Sequence, residues 1–275
     1  MTDRSIQWLL IGFPLAFFSA FFIAPLVVVL VASVMGGSPA RPTLAHYARI
    51  LLDAYHWEIL LVTTRIAVAT TVVATLLGFP LAYYLVRIVR ADWWRRAAVI
   101  LIVIPLFTSN IVRSFGWMVL LGRNGLVNDG LTAAGLVERP IRFLGTELGI
   151  VIGLVYILLP FIVLTVGNAL SAIDRTIEQA AADLGAGPFT VFRTVTLPLC
   201  LPGLMAGAVI VFALSATAYV TPALLSSGRV TVFSILIAQQ YSSVFDFHYG
   251  GALSITLLVV TLALLACASA LGRRR

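Results

Sequence analysis

Two sets of residues in this chain could act on something other than lipid. The first centres on Arg113, which follows Ser109 and Asn110 inside an otherwise apolar run. A charge near mid-membrane costs about 2.5–3.5 kcal/mol on insertion scales, so the guanidinium faces protein or water. It either lines a solute route or holds a loop by bonds to backbone carbonyls. Tyr156, Thr217 and Tyr219, with Ser215 beside them, are polar-tipped residues in later apolar runs. They either line the same route or pack between helices as hydrogen-bonding glue. The second set is the stretch Asp174–Gly203, the longest polar interruption in the chain. Its work would be mechanical. Asp174 suits a helix N-cap, and Gly185 can end that helix in the left-handed conformation. Gly187-Pro188 can then start a second helix with proline at its first position. Ile177, Ala180, Ala181 and Leu184 fall at i, i+3, i+4 and i+7, on one face. Phe189, Phe192 and Val195 form a second face. Two short amphipathic helices outside the membrane need a surface on which to bury such faces. A soluble partner is the better surface, because the first helix is poor in the basic residues that a helix lying on lipid carries.

Other chemistries have no residues to perform them. No phosphate-cradling GxxxxGK[ST] is present, so any ATP must bind to another chain. HExxH and GxSxG are absent too, and no Ser, His and acid converge as a membrane hydrolase would need. His46, His56 and His248 are isolated and have no metal-ligand spacing. Cys200 and Cys267 make no disulfide framework. The net charge of +7 comes from 18 basic residues, all arginine, against 11 acidic ones. These arginines flank apolar runs and form no basic face of the kind nucleic-acid binding requires.

These residues must be positioned by helices in a bilayer. The chain is 61% hydrophobic and 11% charged, where soluble domains carry about 25% charged residues. Apolar runs at residues 8–34, 59–86, 97–121, 147–171, 204–224 and 248–271 predict six spans. The first is too long for a cleavable signal core. Pro14, Pro25, Pro105 and Pro160 are expected points of bending. Residues 35–58 form a link with a short surface helix around His46–Leu52, and 87–96 form a tight arginine-rich loop with an interfacial Trp93-Trp94 pair. Residues 122–146 and 225–247 are further polar links. With the N-terminus inside, ten arginines are cytoplasmic and six external, and Arg65 and Arg113 lie within spans. Cytoplasmic loops carry the excess of positive charge. Both termini and the focal stretch are therefore expected in the cytoplasm, as are the two cysteines, and Arg65 is expected to snorkel to an outer end. The fold class is an all-α integral membrane protein of six transmembrane helices, forming a single domain over 1–275. A cytoplasmic helix pair lies between spans four and five. No internal repeat of the secondary-transporter kind is visible.

The focal stretch resembles the EAA motif of ABC importer permeases, E-A-A, three residues, G, nine residues, I-x-L-P. Gln179-Ala180-Ala181, Gly185, Val195, Leu197 and Pro198 stand at that spacing. Gln179 replaces the motif's glutamate, with Glu178 one step earlier, and Val195 replaces isoleucine. Pro105–Asn128 and Gly153–Leu164 are similar to the spermidine/putrescine, PotB-like branch, and the likeness runs from about Ile59 onward. The resemblance implies a non-catalytic permease subunit of the bacterial inner membrane. It implies a second, different permease, two ATP-binding subunits that hold ATP and Mg, and an external solute-binding protein. It makes Ile177, Glu178, Gln179, Ala180, Ala181, Leu184, Gly185, Pro188, Phe189, Phe192, Leu197 and Pro198 the residues of ATPase coupling. A polyamine is the substrate it implies. The residues do not add to that, because no Asp or Glu lies within a span beyond Glu147, at the very start of the fourth. Glu58, Asp129, Glu147 and Asp246 fall on the external side, and Arg113 opposes tight cation binding. An opine, an amino-acid derivative or a phosphonate is the alternative cargo. A stand-alone channel, or a scaffold that recruits an ATPase without moving solute, is the alternative class.

Overall fold

The computed structural model of the protein describes residues 3–37 and 41–273. Arg274 and Arg275 of the closing arginine triplet, and residues 38–40 of the first link, lie outside the described residues. The chain folds into two compact units, one taking the sequence up to Glu58 with Phe233–Val260, the other Ile59–Val232 and the chain from Thr261 on. Among the described residues five helices are long and apolar enough to cross a membrane, six if a pair bent at a short break counts as one span.

In the first unit, α1 (Asp3–Phe18), a π turn (Ser19–Ile23) and α2 (Ala24–Ser33) form the first span, Leu10–Ser33. A two-residue hairpin, β1 (Met35–Gly36) with β2 (Arg41–Pro42), leads to α3 (Ala45–Leu52) and to the first turn of α4 (Ala54–Tyr83). The expected surface helix is therefore present. The second span starts at Ala54 rather than residue 59, which brings His56 into it. After α4 come the π turn Tyr84–Ile88 and the helices of the other unit. The first unit resumes with α13 (Phe233–Gln239), the π turn Gln240–Val244 and the beginning of α14 (Phe247–Arg273). Polar ties hold this unit together. The Tyr249 hydroxyl and buried His56 Nε2 lie 2.5 Å apart, and Arg49 stands 4.7 Å over the Tyr249 ring. Ser33 Oγ and the Tyr47 hydroxyl share a 2.7 Å bond.

The larger unit is built on α8 (Glu147–Ala172). Ile150, Leu154, Ile162, Val166 and Leu170 recur at multiples of four and are all but inaccessible. Pro160 sits inside α8 without ending it. Against α8 packs α11 (Leu197–Ala216), and the contact depends on Gly203 and Gly207. A Cβ on Gly203 would stand 2.3 Å from Ala169 Cβ, and one on Gly207 would stand 2.3 Å from Thr165 Oγ1. This four-residue glycine spacing is the close-approach pattern of membrane helix pairs, where van der Waals contact replaces the hydrophobic effect.

The structure refines several sequence expectations here. The third span bends sharply beside Pro105, one of the expected points. α5 (Asp92–Val103) and a 3-10 turn (Ile104–Phe107) meet α6 (Asn110–Leu120) at 101°. Pro105 cannot extend the α-helical ladder, and Ser109 caps the new helix by accepting the Ile111 N–H at 3.3 Å. The arginine-rich loop is also shorter than 87–96, because the π turn carries the second span to Ile88 and α5 resumes at Asp92. The link 122–146 is folded, with α7 (Leu126–Ala133) inside it. Its centre is buried Asn128, which donates to Gly122 O at 2.8 Å and Ile141 O at 3.0 Å and accepts from Ile141 N at 2.8 Å. Arg65, expected to snorkel, donates from Nε to Glu147 Oε2 at 2.7 Å and from Nη2 to Oε1.

Candidate coupling surface and translocation cavity

The stretch after α8 folds as its local chemistry dictates. Asp174 Oδ1 accepts the Thr176 N–H at 2.9 Å and caps α9 (Arg175–Asp183). That backbone bond, with the Thr176 side chain, holds the Asp174 carboxyl below its ordinary range. At the other end Gly185 has φ +86°. Its N–H reaches Ala182 O at 2.9 Å, and the Ala186 N–H reaches Ala181 O at 3.2 Å. This double bond pattern is a complete Schellman turn. Gly187 and Pro188 then open α10 (Pro188–Val191), as expected.

The second helix is not a separate element. α10 passes through a π turn (Phe192–Thr196) into α11, giving one span from Pro188 to Ala216 rather than a start at 204. Leu197-Pro198 therefore lies in the interior of a continuous helix. Pro198 would clash with the carbonyl four residues back in a regular helix. The π turn shifts that pairing, and Leu197 N–H bonds to Phe192 O instead. The expected second apolar face also divides. Phe189 is 74% exposed, while Phe192 packs edge-on to Tyr83 at 5.5 Å and Phe79 at 6.0 Å.

The first helix has two faces of different character. Glu178 turns inward, where its Oε1 accepts from Thr196 Oγ1 at 2.7 Å and lies 3.1 Å from Arg87 Nη2. The Arg87 side chain is only 8% exposed. Arg175 Nη2 adds a 2.9 Å bond to Val86 O. The ends of the second span, α9 and the base of the fifth span are thus tied through one carboxylate. The opposite face carries Ile177, Ala180 and Leu184 exposed, and Gln179 is exposed on the other flank of the helix. Leu184, at 90% exposure, is covered by nothing among the described residues. Ala181 is half-buried.

The bend in the third span creates the second feature. A cavity of about 440 Å³ is lined by Asn110, Arg113, Thr217, Tyr219 and Thr221 over an apolar floor that includes Leu154 and Ile157. Two helix interruptions meet there, one before α6 and one between α11 and α12 (Val220–Leu225). Buried Ser114 and Thr221 bridge α6 to α12 with a 3.0 Å hydroxyl pair. Arg113 Nη2 donates to Asn110 Oδ1. Its Nε and Nη1 are shielded from solvent and have no hydrogen-bond partner among the described residues. Four of the six sequence-predicted pathway residues therefore share one cavity. The other two do not line it: Ser109 caps α6, and Tyr156 packs edge-on to Trp117 at 5.4 Å. Thr221 and Ser114 escaped the sequence reading, because two hydroxyls 107 positions apart leave no local pattern. No group of three or more His, Cys, Asp or Glu is placed to hold a metal among the described residues.

The chain is similar to known transport proteins. Over residues 74–273 the chain matches the family described as "Binding-protein-dependent transport system inner membrane component". It is 32% identical over 218 residues to the "Spermidine/putrescine transport system permease protein PotB" of Escherichia coli (strain K12), covering 79% of this chain and 78% of that one. It is 34% identical over 202 residues to the "Molybdenum transport system permease protein ModB" of Mycobacterium bovis, covering 73% and 74%. In fold it is similar to a chain of a bacterial ABC transporter that imports the acidic polysaccharide alginate, with a TM-score of 0.81, 18% identity and 99% and 97% coverage. The role that goes with these matches is that of a permease, the non-catalytic membrane component, in an ABC importer. The chain belongs to the family of inner-membrane components of binding-protein-dependent transport systems.

Proposed function

We propose that this chain, as a single permease domain, forms half of the translocation pathway of an ATP-driven importer. A second, non-identical permease completes the pathway, two ATP-binding subunits hold ATP and Mg, and a solute-binding protein delivers cargo from outside. Both termini and the α9 turn lie in the cytoplasm. The observation that carries this reading is the outer face of α9. Ile177 and Leu184 stand exposed on a helix whose inner face is pinned by Glu178. An apolar edge on a rigid support suits a groove in an ATPase subunit, and the pinning passes motion of that subunit to the second and fifth spans. Leu184→Asp should abolish co-purification of the ATPase and ATP-dependent uptake in proteoliposomes while the chain still inserts. Normal uptake by that variant would refute the docking role, and uptake without any ATPase would make the chain a channel.

The cargo proposed from the PotB likeness is a polyamine. The cavity supports a second reading. Its only charged lining residue among those described is Arg113, with unpaired N–H groups and no carboxylate to receive an ammonium. A relative 34% identical over 202 residues is named for molybdenum transport. Opines, amino-acid derivatives and phosphonates carry the anionic group such a guanidinium binds. Uptake of labelled putrescine, competed by amines and by carboxylate-bearing amines in turn, separates the two. Under the polyamine reading Arg113→Ala leaves putrescine uptake intact or raises it. Under the second reading the same change removes uptake of the anionic solute.

A further inference from the structure

A different cavity, of about 590 Å³, lies in the larger unit between α5, α8 and the end of the second span. Its lining is sorted by polarity along the helices. Arg95 and Arg96, from the start of α5, and Asn168 and Ser171, from the end of α8, stand at one end. Ile102 and Val163, deeper in the same helices, stand at the other. Chain direction produces this sorting. α5 leaves the interface at which the second span and α8 arrive, and that arrival is fixed by Arg175 on Val86 O at 2.9 Å.

The depth of the polar end is set independently. Trp93 and Trp94 stack at 4.2 Å one residue before the arginines and are 63% and 59% exposed. Paired exposed indoles belong at headgroup level, so the two guanidiniums stand at the depth of lipid phosphates. Asp92 neutralises Arg95 at 2.9 Å. Arg96 has no ion-pair partner among the described residues, which leaves this end net positive. A partner's transmembrane helix would leave that charge unanswered. A free phosphate would leave the apolar length of the cavity in contact with water.

We infer that this cavity binds one anionic phospholipid of the leaflet that borders the α9 turn. The phosphate lies on Arg95 and Arg96, and an acyl chain lies along α5 and α8. Basic pockets between membrane helices bind such headgroups by the same chemistry. The inference does not depend on which solute is carried, or on how the ATPase docks.

The test uses the assembled importer in phosphatidylcholine nanodiscs with and without phosphatidylglycerol, and native mass spectrometry counts the lipid retained. One phosphatidylglycerol per copy of this chain is expected. Joint Arg95→Gln and Arg96→Gln should weaken its retention by roughly thirtyfold, from about 1 kcal/mol per basic residue, without altering phosphatidylcholine. Gly167 lines the same cavity, and a Cβ there meets only Val86 Cγ2, at 3.9 Å. Gly167→Leu should therefore expel the lipid with both arginines intact, and it carries the test alone if the arginine variant fails to assemble. Retention unchanged in both variants would overturn the proposal. So would displacement of the lipid by soluble glycerol 3-phosphate, or efficient cross-linking of Ile100→Cys to the second permease, which would put protein in the cavity.

Discussion

Glu178 shows how neighbouring residues in one motif divide the labour. Resemblance assigns it to partner contact, yet its carboxylate is folded against its own chain. Removing one member of a shielded ion pair leaves the other charge uncompensated, at about 3–5 kcal/mol. Glu178→Ala should therefore lower the thermal midpoint of the purified chain strongly. Arg87→Met alone should do the same, and the two together should cost less than their sum. Additive losses in that double-mutant cycle would show that the 3.1 Å approach carries no coupling. Gln179 has the opposite surroundings. It stands exposed, so losing its amide should hardly affect folding. Asp174 adds a pH dependence whose sign is fixed. Its folded pKa is depressed, so its stabilisation is complete above the unfolded value and is lost as pH falls through the folded one. Asp174→Asn keeps the cap acceptor but not the charge. The stability advantage of the native chain over this variant should be constant near neutral pH, begin to fall near the ordinary aspartate pKa of about 4, and be lost only below the depressed folded value. An advantage that persists in acid would assign the cap to the hydrogen bond alone.

At the scale of elements, what the sequence revealed and what it hid follow a physical division. The ends of α9 were legible because a cap and a Schellman turn are made by residues within six positions of each other. The base of the fifth span was not. Local rules make Pro198 a boundary, and only a register shift in the preceding turn keeps the helix running. Asn128 was hidden for a related reason, since its bonds reach 13 residues along the chain to Ile141. The bend of the third span was half legible: Pro105 marked a weak point, but nothing in the sequence set the 101° turn. The Gly203 and Gly207 spacing was a readable signal of close helix contact that went unread. Gly185 gives the sharpest test at this scale. An added Cβ meets nothing within 4 Å, so any cost of substitution is backbone cost alone. Gly185→Val should lose about 1–2 kcal/mol or more, as a left-handed β-branched residue must. Gly185→Asn should lose much less. The ratio of uptake to ATP hydrolysis should fall in the same order, because a frayed turn no longer fixes where Leu184 and Phe189 stand. Equal ratios in the two variants would mean that the turn conformation is irrelevant to coupling.

For the whole molecule, the orientation in the bilayer decides whether the coupling edge and the cavities face the compartments their roles require. The arginine balance argues for the α9 turn inside, ten against six, with the strongest bias in the shortest connection. Short loops are where that rule is most dependable. The fold sharpens the argument, because the true connection between the second span and α5 is only residues 89–91, with Arg87, Arg90, Arg95 and Arg96 crowded around it. Moving that cluster across the membrane would be far costlier than moving the spread charges of the 122–146 link. A membrane-impermeant thiol reagent reads the outcome directly. In a chain carrying Cys200→Ala and Cys267→Ala, a cysteine at Ala91 or Ala186 should label only after the cells are permeabilised. One at Ala134, on the far side of the bent span, should label in intact cells. The reverse pattern would place Leu184 and Phe189 outside, beyond reach of any ATPase, and would refute the importer mechanism at its root. Labelling of Ala91 and Ala134 from the same side would mean instead that the α5–α6 pair re-enters without crossing. The 101° bend makes that geometry worth testing, and only the crossing arrangement keeps both ends of the chain on the side of the coupling edge.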